Sequence, residues 1–197
     1  MAELFKTIVI TSPYEIENEA NKIRMLLESG VDRVHIRKPD SSLAEVKELI
    51  EQIPYPLRRK LTLHGHFHLL DEMNLGGVHL NSRNPNAPKN ALSISRSCHS
   101  VEEALGALDA EGCDYVTLSP IFDSISKEGY LSHFPMKETG EMIRGRRVVA
   151  LGGVTPDKLK MLQNAGFFGA ALLGYVWEGD FQTRLAELKH AINSLTQ

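Results

Sequence analysis

The sequence predicts an α/β chain folded as a single-domain, compact (β/α)8 TIM barrel, and three observations predict it. Eight short apolar, β-branched runs are spaced along 197 residues, amphipathic segments with helix start and stop signals separate most of them, and no linker or low-complexity stretch divides them. Parallel neighbours need a crossover, and short continuous apolar runs suit a sheet covered by helices on both faces. An eightfold count favours closure over an open doubly wound sheet, with this length at the compact end of the barrel class.

In chain order the predicted strands are Thr7–Thr11, Arg33–Ile36, Lys60–Leu63, Gly77–Leu80, Leu92–Ser97, Tyr115–Leu118, Arg147–Leu151 and Gly169–Leu173. The first helix is expected from about Tyr14 to Glu28, with Ile16, Ala20, Ile23, Leu26 and Leu27 on one face and a stop at Ser29-Gly30. Asn84-Pro85-Asn86-Ala87-Pro88 is loop chemistry, so the gap after the fourth strand, Asn81–Asn90, is where a helix should be missing. Ser100 and Glu103 read as a capping box. Thr155-Pro156-Asp157 opens a further helix that ends before Gly166.

Composition excludes several function classes. With 22 Lys+Arg against 25 Asp+Glu and a net charge of −3, the chain has no electrostatic footprint for nucleic acid or an anionic membrane. No apolar run approaches the ~18 residues of a membrane span, and Met1–Lys6 lacks the pattern of a secretory signal. Two cysteines, Cys98 and Cys113, imply neither a disulfide nor an oxidising compartment, and a cytoplasmic location is expected.

Barrel chemistry sits at the carboxyl ends of strands, which makes the residues just past each strand the candidates. Gly152-Gly153 follows the seventh strand and Gly174 the eighth. Each reads either as turn and packing glycine or as a phosphate cradle whose amides approach an anion, and their pairing on the last two strands favours the cradle. Past the sixth strand, Ser124, Ser126 and Lys127 offer phosphate donors on a glycine-containing loop. Arg37, immediately past the second strand, presents a planar fork to carboxylate or phosphate.

His64, His66 and His68 would share one face of an extended strand, a first-row metal arrangement. Gly65 invites a turn that breaks it, and no metal ligand is assigned. On the fifth strand Ser97 and His99 share a face, yet no nearby acid completes a nucleophile triad, which disfavours a hydrolase.

At these residues the chain resembles the thiamine phosphate synthase/TenI family over nearly its whole length. The motifs carrying the likeness are His35-Ile36-Arg37, Gly77-Val78-His79-Leu80, Ser97-Cys98-His99-Ser100, Asp114-Tyr115-Val116 with Pro120-Ile121-Phe122 and Lys127, and Ala150-Leu151-Gly152-Gly153. The resemblance implies a thiamine-biosynthesis barrel that holds a thiazole phosphate on Gly153, Gly174, Ser124 and Ser126. It places Arg37, Ser97 and Lys127 where synthases handle the diphosphate of the pyrimidine partner.

Synthases of this family carry carboxylates for Mg²⁺ at the end of the third strand and after the fourth. Here those places hold His64-Gly65 and Asn84, and Pro39 replaces a lysine. Magnesium prefers hard anionic oxygens, so the pattern points away from diphosphate release and toward the TenI branch, which tautomerises a thiazole carboxylate phosphate without metal. The histidine that branch uses on the sixth strand is matched by Pro120, leaving His64, His99 and His133 as candidate bases. The expected function is thus a thiazole tautomerase with no cofactor. A divergent, Mg²⁺-dependent synthase and a noncatalytic thiazole-phosphate binder are the alternatives. The small phosphorylated thiazole is the expected partner, and surface patches on so small a barrel would suffice for a homodimer.

Overall fold

The computed structural model describes residues 4–123 and 134–195. Its strands are β1 (Lys6–Ile10), β2 (Arg33–Ile36), β3 (Leu61–Leu63), β4 (Gly77–Leu80), β5 (Ile94–Cys98), β6 (Tyr115–Leu118), β7 (Val148–Ala150) and β8 (Gly169–Leu172). They pair in parallel in chain order, and β8 closes on β1 through Lys6↔Gly169 to Val9↔Leu172. The expected barrel is therefore the observed fold. Its helices are α1 (Glu19–Glu28), α2 (Leu43–Glu51), α3 (Leu69–Glu72), α4 (Val101–Ala110), α5 (Met136–Ile143), α6 (Leu159–Ala165), α7 (Gly174–Trp177) and α8 (Phe181–Leu195). Between β4 and β5 the chain makes turns and one bridge, Asn81↔Asn84, in place of a helix.

Local chemistry explains where the helices begin. α1 starts at Glu19 and not near Tyr14, because Asn18 adopts a left-handed φ of 54° that a continuing helix does not permit. Ser42 and Glu45 form a complete capping box at α2, each side chain accepting from the other's backbone amide. At α4 only half of the expected box exists. The Glu103 amide donates to Ser100 Oγ at 3.0 Å, but the Glu103 carboxylate accepts from the His99 amide at 2.8 Å. Pro156 opens a 3-10 turn, Pro156–Lys158, that feeds α6.

Side-chain alternation along the strands divides the core. Val9, Val34, Ile36, Leu63, Val78 and Leu118 point outward against helix residues such as Ile23, Leu26, Ile50 and Leu162, and this layer holds most of the buried apolar surface. Inside the barrel one wall is apolar, with Ile8, Ile10, Val149 and Ala171. The facing wall, from β2 to β6, is polar: His35, Thr62, His79, Ser95 and Thr117 are each at most 1% exposed. Among the described residues no helix is long and apolar enough to cross a membrane.

Candidate active site

The polar wall is joined into a network. Parallel register sets His35 beside Thr62, His79 beside Ser95, Ser95 beside Tyr115, and Ser97 beside Thr117. His64, half-buried just past β3, brings Nε2 to 2.9 Å from His35 Nδ1, and His35 Nε2 lies 2.6 Å from the Tyr115 hydroxyl. His79 is held between two serines, Nδ1 at 2.8 Å from Ser95 Oγ and Nε2 at 2.8 Å from Ser97 Oγ. Ser95 Oγ donates to the Val78 carbonyl at 3.2 Å, so it accepts the His79 Nδ1 proton. That leaves the His79 Nε2 lone pair accepting from the Ser97 hydroxyl.

These imidazoles are neutral at physiological pH. Burial pushes His79 down to about 3. His35 is held well below the ordinary imidazole range, first by burial and then by His79 and Arg33. His64 is likewise lowered well below it by burial, then by His79, His35 and the Arg37 guanidinium. The hydroxyl of Thr117, in the same inner wall, is fully buried and has no hydrogen-bond partner among the described residues. An orphaned buried hydroxyl costs about 1–3 kcal/mol unless a ligand or water supplies a partner.

Across the mouth, Gly152 and Gly153 take left-handed φ values of 92° and 62°. A Cβ on Gly152 would lie 2.8 Å from Pro120 Cα, and one on Gly153 only 2.3 Å from the Asp123 carbonyl oxygen. Close packing of this turn on the segment after β6 thus demands glycine in its own right. The Gly152 carbonyl accepts from Phe122, and the Gly153 carbonyl accepts from Lys158 Nζ at 2.6 Å. Among the described residues the amides of Gly152, Gly153 and Gly174 donate to no protein acceptor, and all three glycines are half-buried. Turn glycine and open amide are compatible, and both hold here.

The other candidates separate. Ser97 joins the cluster through His79, and Arg37 anchors its backbone on Thr11, the Arg37 amide donating to Thr11 Oγ1 at 2.8 Å. His99 is exposed, with Nδ1 3.2 Å from the Ser119 carbonyl, a bracing contact at the end of β6. Ser124, Ser126, Lys127 and His133 lie outside the described residues. The shared face of His64, His66 and His68 does not form. β3 ends at Leu63, His66 turns left-handed with φ 52°, and its Nε2 reaches the Ser41 carbonyl at 3.1 Å while His68 is exposed. Cys98 is no nucleophile, since burial pushes its thiol up to about 12. The concavity of about 330 Å³ lined by Arg33, Asp32, Asp114 and Arg147 opens at the opposite, amino end of the strands, away from these groups.

A family model described as thiamine monophosphate synthase matches residues 7–176. The chain belongs to that family. A solved structure of thiamine phosphate pyrophosphorylase from Bacteroides thetaiotaomicron is 33% identical, covers 98% of each chain and superposes with a TM-score of 0.80. A curated thiamine-phosphate synthase of Pyrococcus abyssi is 27% identical over 210 residues, spanning 98% of this chain and 97% of that one. The Pyrococcus furiosus pyrophosphorylase, at 22% identity and a TM-score of 0.78, shows the shared fold alone.

The Mg²⁺ that synthases of the thiamine monophosphate synthase family use finds no matching donors here among the described residues. Asn84 and Asn81 each donate from Nδ2 to the His64 carbonyl, at 3.0 and 2.9 Å, and Asn81 Oδ1 accepts from the Arg83 and Asn84 amides. These neutral amides are spent bracing the turn that carries His64, and no carboxylate stands with them. The set does not fit a hard oxygen-seeking cation.

Three site residues escape a reading confined to strand ends: His35, His79 and Tyr115. Their signal is alternation within strands. Arg33-Val34-His35-Ile36-Arg37 places every second, polar residue inside, and Thr62-Leu63-His64 does the same on the neighbouring strand.

Proposed function

We propose that this member of the family is a thiazole tautomerase, moving a proton on a phosphorylated thiazole carboxylate without a metal. The observation that carries the reading is the hydrogen-bonded series His64, His35, Tyr115, with its outer imidazole at the barrel mouth. With Nε2–H of His35 donated to Tyr115 and Nε2–H of His64 donated to His35, Nδ1 of His64 carries a lone pair. That nitrogen takes the proton from the ring carbon. His35 then stabilises the imidazolium by accepting its Nε2–H, and Tyr115 fixes the His35 tautomer. The same proton is returned at a second carbon, which makes the ring aromatic. Low intrinsic basicity keeps His64 unprotonated before binding, and the negative charges of carboxylate and phosphate raise its basicity once substrate arrives.

The unpartnered amides of Gly152, Gly153 and Gly174 supply phosphate donors, with Ser124 and Ser126 assigned beside them by family likeness. Arg37 faces the carboxylate, and Ser97 and Thr117 offer hydroxyls within the mouth. A second reading, synthase chemistry, is favoured by the names of the relatives. One assay separates the two. Purified chain should aromatise the thiazole carboxylate phosphate in the presence of a chelator, with His64→Gln slowing turnover by about 10²–10⁴-fold at nearly unchanged KM. Thiamine phosphate formed from both precursors only with Mg²⁺, and no isomerisation, would establish the synthase. Thiazole phosphate bound with neither turnover would leave a noncatalytic binder.

A further inference from the structure

We infer that His35, His64 and His79 also form a binding site for one divalent first-row transition-metal ion of the zinc class, inside the barrel at its mouth. One ring nitrogen from each lies within 4.8 Å of one from each of the others. No pattern local to the sequence brings them together. They come from β2, the turn after β3, and β4, three successive strands whose parallel pairing brings their inward-facing imidazoles together.

Two of the three imidazoles already have what a ligating histidine needs on its far side, a partner that fixes ring and tautomer. His35 offers Nδ1 while Nε2–H is taken by Tyr115. His79 offers Nε2 once the Ser97 hydroxyl that now donates to it turns away, while Nδ1–H is taken by Ser95, whose own proton is held by Val78. His64 offers Nε2 once its proton moves to Nδ1, so the cluster accepts an ion without releasing a proton. Nitrogens bound tetrahedrally to zinc stand about 3.4 Å apart. The 2.9 Å hydrogen bond between His35 and His64 therefore opens by roughly half an ångström. His64 and His79 are stacked, with centroids 4.2 Å apart and planes 21° from parallel, so capture turns the His64 ring out of the stack. That ring is the half-buried one, on a turn beside Gly65.

Neutral imidazoles select zinc, nickel, copper and cobalt over magnesium and calcium. Three neutral ligands leave the ion its full charge and an open fourth position toward the mouth, where solvent or an anion binds. Binding goes beyond the tautomerase reading and stands without it. One consequence rests on that reading: ion and proton compete for His64, so Zn²⁺ slows the isomerisation and a chelator restores it.

The test uses the full chain, stripped with a chelator and titrated with Co²⁺ alone, read by its visible d–d bands and by metal content after dialysis. Wild type should hold about one ion per chain with the spectrum of a four-coordinate nitrogen site. His64→Ala, at a half-buried position, and His79→Gln should lose the bands, and Tyr115→Phe should weaken binding by about 10–100-fold. A His66→Ala/His68→Ala double variant should leave them unchanged. Circular dichroism melts confirm that each variant folds. No ion retained by wild type, or bands that survive in His64→Ala and vanish in the His66/His68 variant, would overturn the site. Because this readout involves no thiazole, it fails or succeeds separately from the tautomerase assay.

Discussion

Lowering the pH should destabilise the chain through His79, and the size of the effect follows from its surroundings. His79 is 1% exposed, and its folded pKa is about 3 against an ordinary value of 6.5. Below pH 6.5 the unfolded chain takes up a proton that folded His79 refuses, so stability is lost as pH falls. Between pH 7.5 and 5.0 one such histidine contributes about 2 kcal/mol of lost stability, a result insensitive to the folded value while it stays below about 4. Urea denaturation of wild type and His79→Gln at both pH values isolates this share, because the carboxylates common to both chains cancel in the double difference. His79 also helps to depress His35 and His64, so its removal raises both, flattens the variant's pH response further and makes about 2 kcal/mol a floor. A double difference below about 0.5 kcal/mol would mean that His79 is hydrated or charged in the folded chain, and the account of a dry, neutral cluster would fall.

Gly153→Ala should destabilise by about 2 kcal/mol or more, since it combines left-handed φ with a Cβ driven into the Asp123 carbonyl. In calorimetry that lowers Tm by roughly 4–8 °C. Gly106→Ala, in mid-α4 with nothing within 4 Å of the new Cβ, should raise stability by about 0.5–1 kcal/mol. Lys38→Met should cost about 3 kcal/mol or more in chemical denaturation, because it strands the Glu19 carboxylate of a pair whose side chains are each 6% exposed. Arg24→Ala, in an exposed helical pair, should cost less than about 1 kcal/mol by the same measurement.

The barrel is legible in the sequence because each strand announces itself locally. Val34-His35-Ile36 and Tyr115-Val116-Thr117-Leu118 are apolar on alternate residues and lie between helical segments, and strand order then follows from closure. Strand ends were legible too, since Gly152-Gly153 and Arg37 follow directly from where β7 and β2 stop. The imidazole cluster was not, for two physical reasons. His35 and His79 lie within strands whose apolar neighbours dominate any window average. What joins them to His64 is lateral register between strands separated by dozens of residues in the chain, which no local spacing encodes. The start of α1 at Glu19, later than the expected Tyr14, has a third reason. Ile16 continues the helical stripe back past Asn18, whose left-handed backbone ends it, and hydrophobic periodicity cannot sense one residue's φ.

The asymmetry of the barrel interior carries the functional argument furthest. A parallel barrel that needed only to fold would fill its centre with branched aliphatics, as β1, β7 and β8 do here with Ile8, Ile10, Val149 and Ala171. The opposite wall instead holds two buried imidazoles and a half-buried third, a phenol and several hydroxyls, each a group that costs stability when buried unless it is paired. Nearly all are paired with one another, and in a defined sequence from the buried Tyr115 outward to His64 at the mouth. Among the described residues the buried hydroxyl left over in this wall, on Thr117, lies at the level of Ser97. A polar network paired everywhere but at Thr117 is what the proposed proton transfer would require, whereas a wall polar by drift would leave orphans at every depth.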